Sequence, residues 1–363
     1  MLVEIGLLLA ICLVSLHFIE PLWYYTYLSK RINLSVSKPD NSKQNVPFIS
    51  VIIPTYNERE SIKEKIKNVI ENYPTDKMEI IIVDSSNDGT DKEIQEMAIP
   101  NLKLIKEAVR KGKIFALKKG LEATSHDIVV VTDADALWKD PITDAILFLV
   151  SNENVGGVTC IKYADRNVEN SYRDFYNVIR MGESSLFSTP IFHGELEAFK
   201  KSLIDKDNIP IVGADDSALA TILSIEGFRA LSVPFIRAVE KAPKDLKDYF
   251  SWKTRRGSHL VKHFARFLPR VLKSRTNRRF KFVFVEEAFL HLINPWLLVI
   301  GIILLGISSL PIFIIAIGVS TLSLLFSRTR RIMEAWIPNQ FFLILSQFKA
   351  LKREVIVWKK EKK

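Results

Sequence analysis

Residues 48–58 read FISVIIPTYNE, an apolar and β-branched run that ends in polar residues. Such a run predicts a buried strand, here Phe48–Ile53. Further strands are predicted at Glu79–Val83, Leu102–Ile105, Ile128–Thr132 and Val155–Cys160, and helical patterns such as Arg59–Asn72 lie between the strands. This alternation predicts an α/β fold with a mostly parallel sheet that is covered on both faces.

Polar residues follow three of these strands, at the edge where such sheets bind ligands. The first strand leads into TYNE (55–58), the second into DSSNDGT (84–90) and the fourth into DAD (133–135). Because Asp133 and Asp135 are two apart in an extended segment, both carboxylates point to one side. Such a pair can hold a hard divalent cation on a phosphate, although aspartates at strand ends also form turns and helix caps.

Basic residues at Arg110-Lys111-Gly112-Lys113 open a predicted helix over Ile114–Ala123. These cations can meet phosphate groups, and an exposed basic turn accounts for them equally well. The sequence contains neither a P-loop motif nor the Gly-x-Gly-x-x-Gly motif of dinucleotide-binding folds. Both of those nucleotide-binding classes therefore lack their motifs.

Four segments in order resemble the successive motifs of family 2 glycosyltransferases: VIIPTYNE (51–58), DSSNDGT (84–90), RKGKIFALKKGL (110–121) and TDADALW (132–138). The resemblance covers roughly residues 48–260 and implies the A-type glycosyltransferase fold. It also implies a nucleotide-diphosphate sugar donor and a Mg²⁺ or Mn²⁺ ion that is held by Asp135 with Asp133 beside it. The implied donor-binding residues are Pro54, Thr55, Tyr56, Glu58, Asp84, Lys113 and Asp133, with Asp84 on the nucleotide base. Ser85 stands where many members carry a second aspartate.

The segment Gly213-Ala214-Asp215-Asp216-Ser217 resembles the acidic motif of the family at the start of a helix. Inverting transfer needs one carboxylate to deprotonate the acceptor hydroxyl. Asp216 matches the position of this base and is preferred, but the choice between Asp215 and Asp216 stays open. An aspartate at a helix N-terminus is often only a cap.

Two further segments resemble acceptor-side regions of membrane-bound members. His193-Gly194-Glu195 is similar to the acceptor wall, where Glu195 is expected to position acceptor hydroxyls or to cap a helix. Residues 252–257, WKTRRG, are similar to the Gln-x-x-Arg-Trp region of cellulose, chitin and hyaluronan synthases. The resemblance implies that Arg255 or Arg256 neutralises the leaving diphosphate and that Trp252 supports the acceptor sugar. Lys253 replaces the usual glutamine and no tryptophan follows Arg256, which weakens the prediction of processivity.

The positive charge of the chain is local. The 363 residues carry a formal net charge of +10, yet eleven Lys and Arg and no acidic residue lie between Asp248 and Glu286. Aromatic residues such as Phe264 and Phe267 are interleaved with these bases. The pattern predicts helices lying on anionic membrane lipids, and nucleic acid is not expected as a partner because a spanning segment follows directly.

Apolar segments predict a multi-pass protein of the cell membrane. We predict an uncleaved transmembrane anchor at 1–28, a glycosyltransferase domain at 45–250, basic interfacial helices at 251–285, two spanning helices at 286–327 and an amphipathic tail at 328–363. Lys30, Arg31, Lys38 and Lys43 follow the anchor and predict that the catalytic domain and the tail are cytoplasmic.

These features predict a membrane-bound, metal-dependent, inverting glycosyltransferase that acts on a polysaccharide or lipid-linked glycan. The alternative is a polyprenyl-phosphate sugar synthase that makes a single transfer. A third hypothesis, a non-catalytic membrane-anchored binding protein, is disfavoured because Asp84, Asp135 and Asp216 are all present. Whether the chain forms a homo-oligomer is left open by the sequence.

Overall fold

The structure, a computed structural model, describes residues 2–32, 45–164, 167–243 and 245–351. Its strands are β1 (Ile49–Thr55), β2 (Met78–Asp84), β3 (Leu102–Lys106), β4 (Ile128–Val131), β5 (Ala136–Trp138), β6 (Val155–Ala164), β7 (Glu197–Lys200) and β8 (Arg229–Glu240). Its helices are α1 (Leu2–Ser29), α2 (Ile62–Glu71), α3 (Thr90–Glu96), α4 (Lys113–Ala123), α5 (Thr143–Ser151), α6 (Asn167–Leu186), α7 (Asp215–Ile225), α8 (Leu246–Lys273), α9 (Arg278–Leu292), α10 (Asn294–Ser308), α11 (Leu310–Ser323) and α12 (Ser327–Leu351). All five predicted strands are present, as β1 to β4 and β6.

The strands form one sheet in the order β3-β2-β1-β4-β7-β6-β8-β5. The prediction of a mostly parallel sheet needs correction, because the sheet is mixed. β1 to β4 pair in parallel through helical crossovers, whereas β7 is antiparallel to both of its neighbours and β5 is antiparallel to β8. After α6 the chain enters β7 from the opposite end of the sheet, which a crossover between parallel strands would not do.

The register of the strands aligns their polar ends. Thr55 is paired with Asp84, and Ile52 with Val131, so β1, β2 and β4 reach the same edge. Alternate residues of β1 pack to opposite faces of the sheet, where two buried hydrophobic clusters lie. α2 and α5 cover one face, while α4, α7, α8 and α9 cover the other.

The aromatic side of the basic segment faces the protein. Phe264, Phe267 and Val271 on α8 are buried and pack in the same cluster as Phe280 and Phe284 on α9. The prediction that these aromatics lie on a lipid surface is therefore wrong for α8. A helix with one apolar side gains the same hydrophobic free energy by covering a protein core. Exposed cations of the segment are Arg266, Arg270, Lys273, Arg275, Arg278 and Arg279.

Among the described residues, one helix, Val3–Ser29, is long and apolar enough to cross a membrane. A second crossing exists only if α9 and α10, which meet at 42°, are counted as one span. The prediction of three spanning helices is not confirmed. α11 has 14 residues and a length of about 21 Å at about 1.5 Å per residue, less than a hydrocarbon core of about 30 Å.

α1 packs antiparallel along α9 and α10. A Cβ atom at Gly301 would lie 2.7 Å from the side chain of Val14, so the small residue allows close approach of the two helices. His17 Nδ1 lies 2.9 Å from the carbonyl oxygen of Asn294, and the Tyr24 hydroxyl donates to Glu183 of α6 at 3.0 Å. α1 is thereby attached to both the apolar helices and the α/β domain.

The predicted tail forms α12 as far as Leu351, and it packs against α8 and α6. The Ser346 hydroxyl donates to the Thr254 carbonyl at 3.0 Å, and Trp336 Nε1 donates to His17 at 3.0 Å. Phe341 and Phe348 are exposed. Residues 352–363 of the predicted tail, together with Lys38 and Lys43, lie outside the described residues.

Candidate active site

A cleft of about 350 Å³ lies at the carboxyl edge of β1 and β4, between the sheet, α7, α8 and α12. Most of the predicted site residues line it: Pro54, Thr55, Tyr56, Glu58, Lys113, Asp133, Asp135, His193, Asp215, Asp216, Trp252, Arg255 and Arg256. Three do not, namely Asp84, Gly194 and Glu195, which lie behind its walls. The segments that the sequence analysis singled out separately therefore meet at one place.

Asp84 lies beneath the cleft. Its carboxylate is fully buried, accepts a hydrogen bond from the Thr55 hydroxyl at 2.9 Å and pairs with Lys106 at 2.8 Å. In this arrangement Asp84 supports Thr55 from behind, while Ser85 lines the cleft. A direct contact of Asp84 with a nucleotide base stays a prediction.

Arg110, one of the cations that the sequence analysis considered for phosphate groups, stacks on an aromatic ring at the edge of the cleft. The guanidinium carbon of Arg110 is 3.4 Å from the centre of the Tyr56 ring. Both residues line the cleft. An aromatic ring and a planar cation can each stack on a nucleobase.

The Asp133–Asp135 segment fits a divalent metal that is shared with a substrate. Mg²⁺ and Mn²⁺ usually bind one or two protein carboxylates and complete their coordination with waters and phosphates. The two carboxylates of Asp133 and Asp135 are therefore enough ligands from the protein. No group of three or more potential metal ligands occurs in the described part of the chain, so a cage made by the protein alone is not present there. Gly194 leaves room for the pair, because a Cβ atom there would lie 2.7 Å from Asp133 Oδ2.

Lys113 lies between the Asp133–Asp135 segment and the adjacent aspartates Asp215 and Asp216. Its Nζ lies 2.8 Å from Asp133 Oδ1, 3.0 Å from Asp215 Oδ2 and 3.9 Å from Glu197 Oε1. Burial opposes the charge of Lys113, but the three carboxylates together raise its pKa well above the usual value. Lys113 is therefore a fixed cation in the floor of the cleft.

Asp216 has the environment of a general base. It lies at the start of α7, and its Oδ1 accepts a hydrogen bond from the Ser217 amide at 2.6 Å. Burial, followed by the charge of Asp215, raises the pKa of Asp216 to about 6. A carboxylate with such a pKa is ionised at neutral pH and binds a proton more readily than an ordinary aspartate.

A second set of charges lies on the other side of the cleft, and we name Lys162, Arg173, Arg180 and Arg256 the basic cluster. Arg256 pairs with Glu240 at 2.8 Å, Lys162 pairs with both Glu240 and Glu195, and Arg173 lies 3.5 Å from Glu240. Arg180 pairs with Glu183 and Glu287. Only Arg256 of the four was predicted, because the others lie on β6 and α6, outside any motif.

The predicted acceptor-side residues fall into two groups. His193 and Trp252 line the cleft, and burial and then the four cations of the basic cluster hold the pKa of His193 well below its usual range. The Glu195 side chain is instead fully buried in an ion pair with Lys162. Glu195 therefore does not offer its carboxylate to the cleft in this arrangement.

The chain is similar to known glycosyltransferases in both sequence and fold. The profile described as "Glycosyl transferase family 2" matches residues 50–211. The solved mannosyltransferase PcManGT from Pyrobaculum calidifontis, in complex with GDP-Man and Mn²⁺, is 37% identical with a TM-score of 0.80, over 95% of this chain and 99% of that one. The chain belongs to glycosyltransferase family 2. The expected A-type fold is confirmed, and the chain is a glycosyltransferase.

Two curated relatives are more distant. The probable glycosyltransferase YdaM of Bacillus subtilis is 27% identical over 67% of this chain and 62% of that protein. The poly-beta-1,6-N-acetyl-D-glucosamine synthase of Staphylococcus aureus is 26% identical over 65% of this chain and 61% of that protein. The chain thus spans about three-fifths of the length of these two relatives.

Proposed function

We propose that this family 2 glycosyltransferase is a membrane-bound, inverting, metal-dependent enzyme. Its donor would be a nucleotide-diphosphate sugar and its acceptor a lipid-linked glycan or a polysaccharide. The observation that carries the proposal is that Asp216 lines the same cleft as Asp133 and Asp135. Lys113 forms ion pairs with both Asp133 and Asp215, the neighbour of Asp216. A base carboxylate and a metal-binding pair are the two parts that such a transfer requires.

For the donor we propose a GDP-linked sugar, with mannose as the first candidate. The support is the likeness to PcManGT, which was solved with GDP-Man and Mn²⁺ and which this chain matches over nearly its whole length. Tyr56 and Arg110 provide a stacking surface for the base, and Thr55 and Ser85 add hydroxyl groups beside them. Asp84 would act on the base indirectly, through Thr55.

Asp135 and Asp133 would hold the metal ion, which would neutralise the diphosphate of the donor. Asp216 would accept the proton of the acceptor hydroxyl as its oxygen forms a bond to the anomeric carbon. The bond from that carbon to the diphosphate breaks, and the diphosphate leaves with the electron pair. Arg255 and Arg256 line the cleft and would stabilise this negative charge. Attack on the face opposite the leaving group inverts the configuration.

The acceptor would reach the cleft from the side of the apolar helices. Asn339, Phe342 and Leu343 of α12 line the cleft, and Trp336 of the same helix bonds to His17 of α1. A lipid-linked acceptor can keep its lipid beside α1 and α10 while its sugar enters the cleft. Membrane attachment through α1 and the bent pair α9–α10 would place the exposed cations of α8 and α9 close to anionic lipids.

The basic cluster favours a second candidate function, a single transfer to a polyprenyl phosphate. Its four cations line the cleft and could bind the phosphate of such an acceptor. Their carboxylate partners, among them Glu240 and Glu195, reduce the net positive charge at the cluster. We therefore place the single transfer second.

The decisive experiment is a panel of GDP, UDP and dTDP sugars that is tested with purified protein and Mn²⁺, with and without polyprenyl-phosphate and polyprenyl-diphosphate-linked glycan acceptors. GDP-mannose turnover supports the proposed donor, and preference for a UDP sugar would refute it. Mass spectrometry of the product separates the acceptors: one sugar on a lipid phosphate supports the second candidate, and an extended glycan supports the first. The Asp216→Asn variant is the control for turnover that does not come from this site.

A further inference from the structure

Lys65 of α2 is a buried lysine directly beneath the predicted metal-binding segment. Its side chain is fully buried. Its Nζ donates one hydrogen bond to the Thr132 hydroxyl and one to the Ala136 carbonyl, both at 2.7 Å. These acceptors are the residues immediately before Asp133 and immediately after Asp135. Lys65 therefore joins the two ends of the segment that carries both carboxylates.

The same segment is held from its other side by residues 194 and 195. The Asp133 amide donates a hydrogen bond to the Gly194 carbonyl at 2.8 Å, and the Thr132 hydroxyl donates one to the Glu195 carbonyl at 2.7 Å. Asn68, one turn after Lys65, exchanges two hydrogen bonds with the backbone of Trp138, at 2.8 and 2.9 Å. The Asp133–Asp135 segment thus lies between α2 and the acceptor wall.

Burial of the Lys65 amine at this position is unfavourable in free energy. Within the described ranges no carboxylate comes within 4.0 Å of its Nζ, although ion pairs of other buried lysines are found, such as that of Lys162. A buried amine with no carboxylate in contact costs free energy that an apolar side chain of similar size would not, although here the Trp138 ring, 4.5 Å from Nζ, offsets part of that cost. Packing alone would therefore be served better by leucine or methionine, and the hydrogen bonds to Thr132 and Ala136 are what the lysine adds.

We propose that Lys65 is a positioning residue that fixes the spacing of the Asp133 and Asp135 carboxylates for the divalent metal. The inference rests on the metal dependence in the proposed function. Metal ligands need supporting hydrogen bonds to keep their orientation, and removal of such a support typically lowers metal affinity by about 10–100-fold. Lys65 acts on the ion only through the backbone and the hydroxyl that flank its ligands.

The test is a titration of Mn²⁺, in the presence of GDP, into purified full-length protein, with free Mn²⁺ measured by electron paramagnetic resonance. In Lys65→Met we expect the Kd for Mn²⁺ to rise by about tenfold or more. Lys67→Met is the matched control, because Lys67 is an exposed lysine on the same helix. The Kd of this variant for Mn²⁺ should equal that of the unmodified protein. A change in folding stability alone would not alter the Mn²⁺ affinity of the folded fraction.

A second variant keeps the proposal testable if Lys65→Met does not fold. Thr132→Val keeps the shape of the side chain but removes the hydroxyl, one of the two hydrogen-bond acceptors of Lys65. We expect the Kd for Mn²⁺ to rise several-fold in this variant. If instead Mn²⁺ binds equally well or more tightly without the lysine, Lys65 acts only as a nearby positive charge and the inference is overturned. If the unmodified protein itself binds no Mn²⁺, the metal dependence in the proposed function fails, and the inference fails with it.

Discussion

The Nζ of Lys113 lies 3.0 Å from a carboxylate oxygen of Asp215. This ion pair distinguishes two adjacent aspartates that the sequence leaves as alternatives. Asp215 is mostly buried and has its charge matched by Lys113, whereas Asp216 is partly exposed to the cleft and bonds to Ser217. A carboxylate in a tight ion pair is a poorer proton acceptor, so the pair favours Asp216 as the base.

The first prediction concerns this choice. Asp216→Asn should lower the rate of transfer by about 10²-fold or more, because it removes the proton acceptor, while donor affinity stays within about twofold. Asp215→Asn should retain more transfer activity than Asp216→Asn, because Lys113 still pairs with Asp133. The measurement is kcat for transfer together with the Kd for the nucleotide. Equal transfer rates in Asp216→Asn and the unmodified protein would show that Asp216 is not the base.

The second prediction follows from the pKa of Asp216, which burial and then Asp215 raise to about 6. The base acts only when it is ionised, so kcat/KM should fall by about tenfold per pH unit as pH decreases below 6 and should level off above it. In Asp215→Asn the neighbouring negative charge is gone, which lowers the pKa of Asp216 and moves the acid limb to lower pH. Kinetics measured from about pH 4.5 to about pH 8 give the acid limb of both enzymes, and an acid limb that stays at the same pH in Asp215→Asn would contradict this account.

Local sequence predicted well which residues at the ends of β1 and β4 line the cleft. Thr55, Asp133 and Asp135 follow strongly apolar strands, and parallel pairing brings the ends of such strands to one edge. Both the strands and their polar ends are properties of short contiguous segments. Their approximate positions could therefore be predicted without knowledge of the rest of the fold.

The opposite wall could not be predicted in this way. Lys162, Arg173 and Glu240 lie on β6, α6 and β8 and meet because β6 pairs with β8, a neighbour that sequence order does not indicate. Lys65 lies three residues after Ile62 and four before Val69, beside the apolar face of α2, and Trp138 of β5 covers it. The apolar pattern alone does not show whether a lysine at such a position reaches solvent or is buried. Likewise Phe264 and Phe267 indicated an amphipathic helix but not whether protein or lipid covers it.

The third prediction uses Gly194. A Cβ atom there would lie 2.7 Å from Asp133 Oδ2 and 3.2 Å from Lys113 Nζ, so Gly194→Ala must displace the carboxylate, the ammonium group or both. Transfer should fall by about tenfold or more, because small misplacements of catalytic groups are costly. Gly318→Ala is the control, since nothing lies within 4 Å of its added Cβ atom. Equal activity of the two variants would mean that the Asp133 site adjusts without penalty.

The fourth prediction concerns metal removal. Chelation with EDTA should abolish transfer, and addition of Mn²⁺ or Mg²⁺ should restore it, because the two aspartates are negatively charged and without a cation between them would repel the leaving diphosphate. Asp135→Ala should stay inactive at all concentrations of added metal. Donor turnover measured with each ion then ranks Mn²⁺ against Mg²⁺. Full activity in EDTA would exclude a metal-dependent mechanism.

The fifth prediction concerns stability and tests the attachment of the cleft to α1. Arg180 is almost fully buried, and it is the cation that pairs with Glu183 and Glu287, while Tyr24 of α1 donates to Glu183. Burial raises the pKa of Glu183 to about 8 even with Arg180 present. In Arg180→Met two buried carboxyl groups lose their cation, so the cost should be about 3–5 kcal/mol.

Arg237→Met is the matched control for that variant. Arg237 also pairs with an acid, Asp140, at 2.7 Å, but its side chain is 56% exposed and the pair is screened by solvent. Its loss should cost at most about 1 kcal/mol. With a pKa of about 8, Glu183 becomes ionised in the unmodified protein only above about pH 8, where it pairs with Arg180, so the destabilisation of Arg180→Met should grow as pH rises above about 8. Thermal unfolding of both variants in detergent, at two pH values, measures these differences. Equal midpoints for the two variants would mean that Arg180 does not hold α1 and α9 to the catalytic domain.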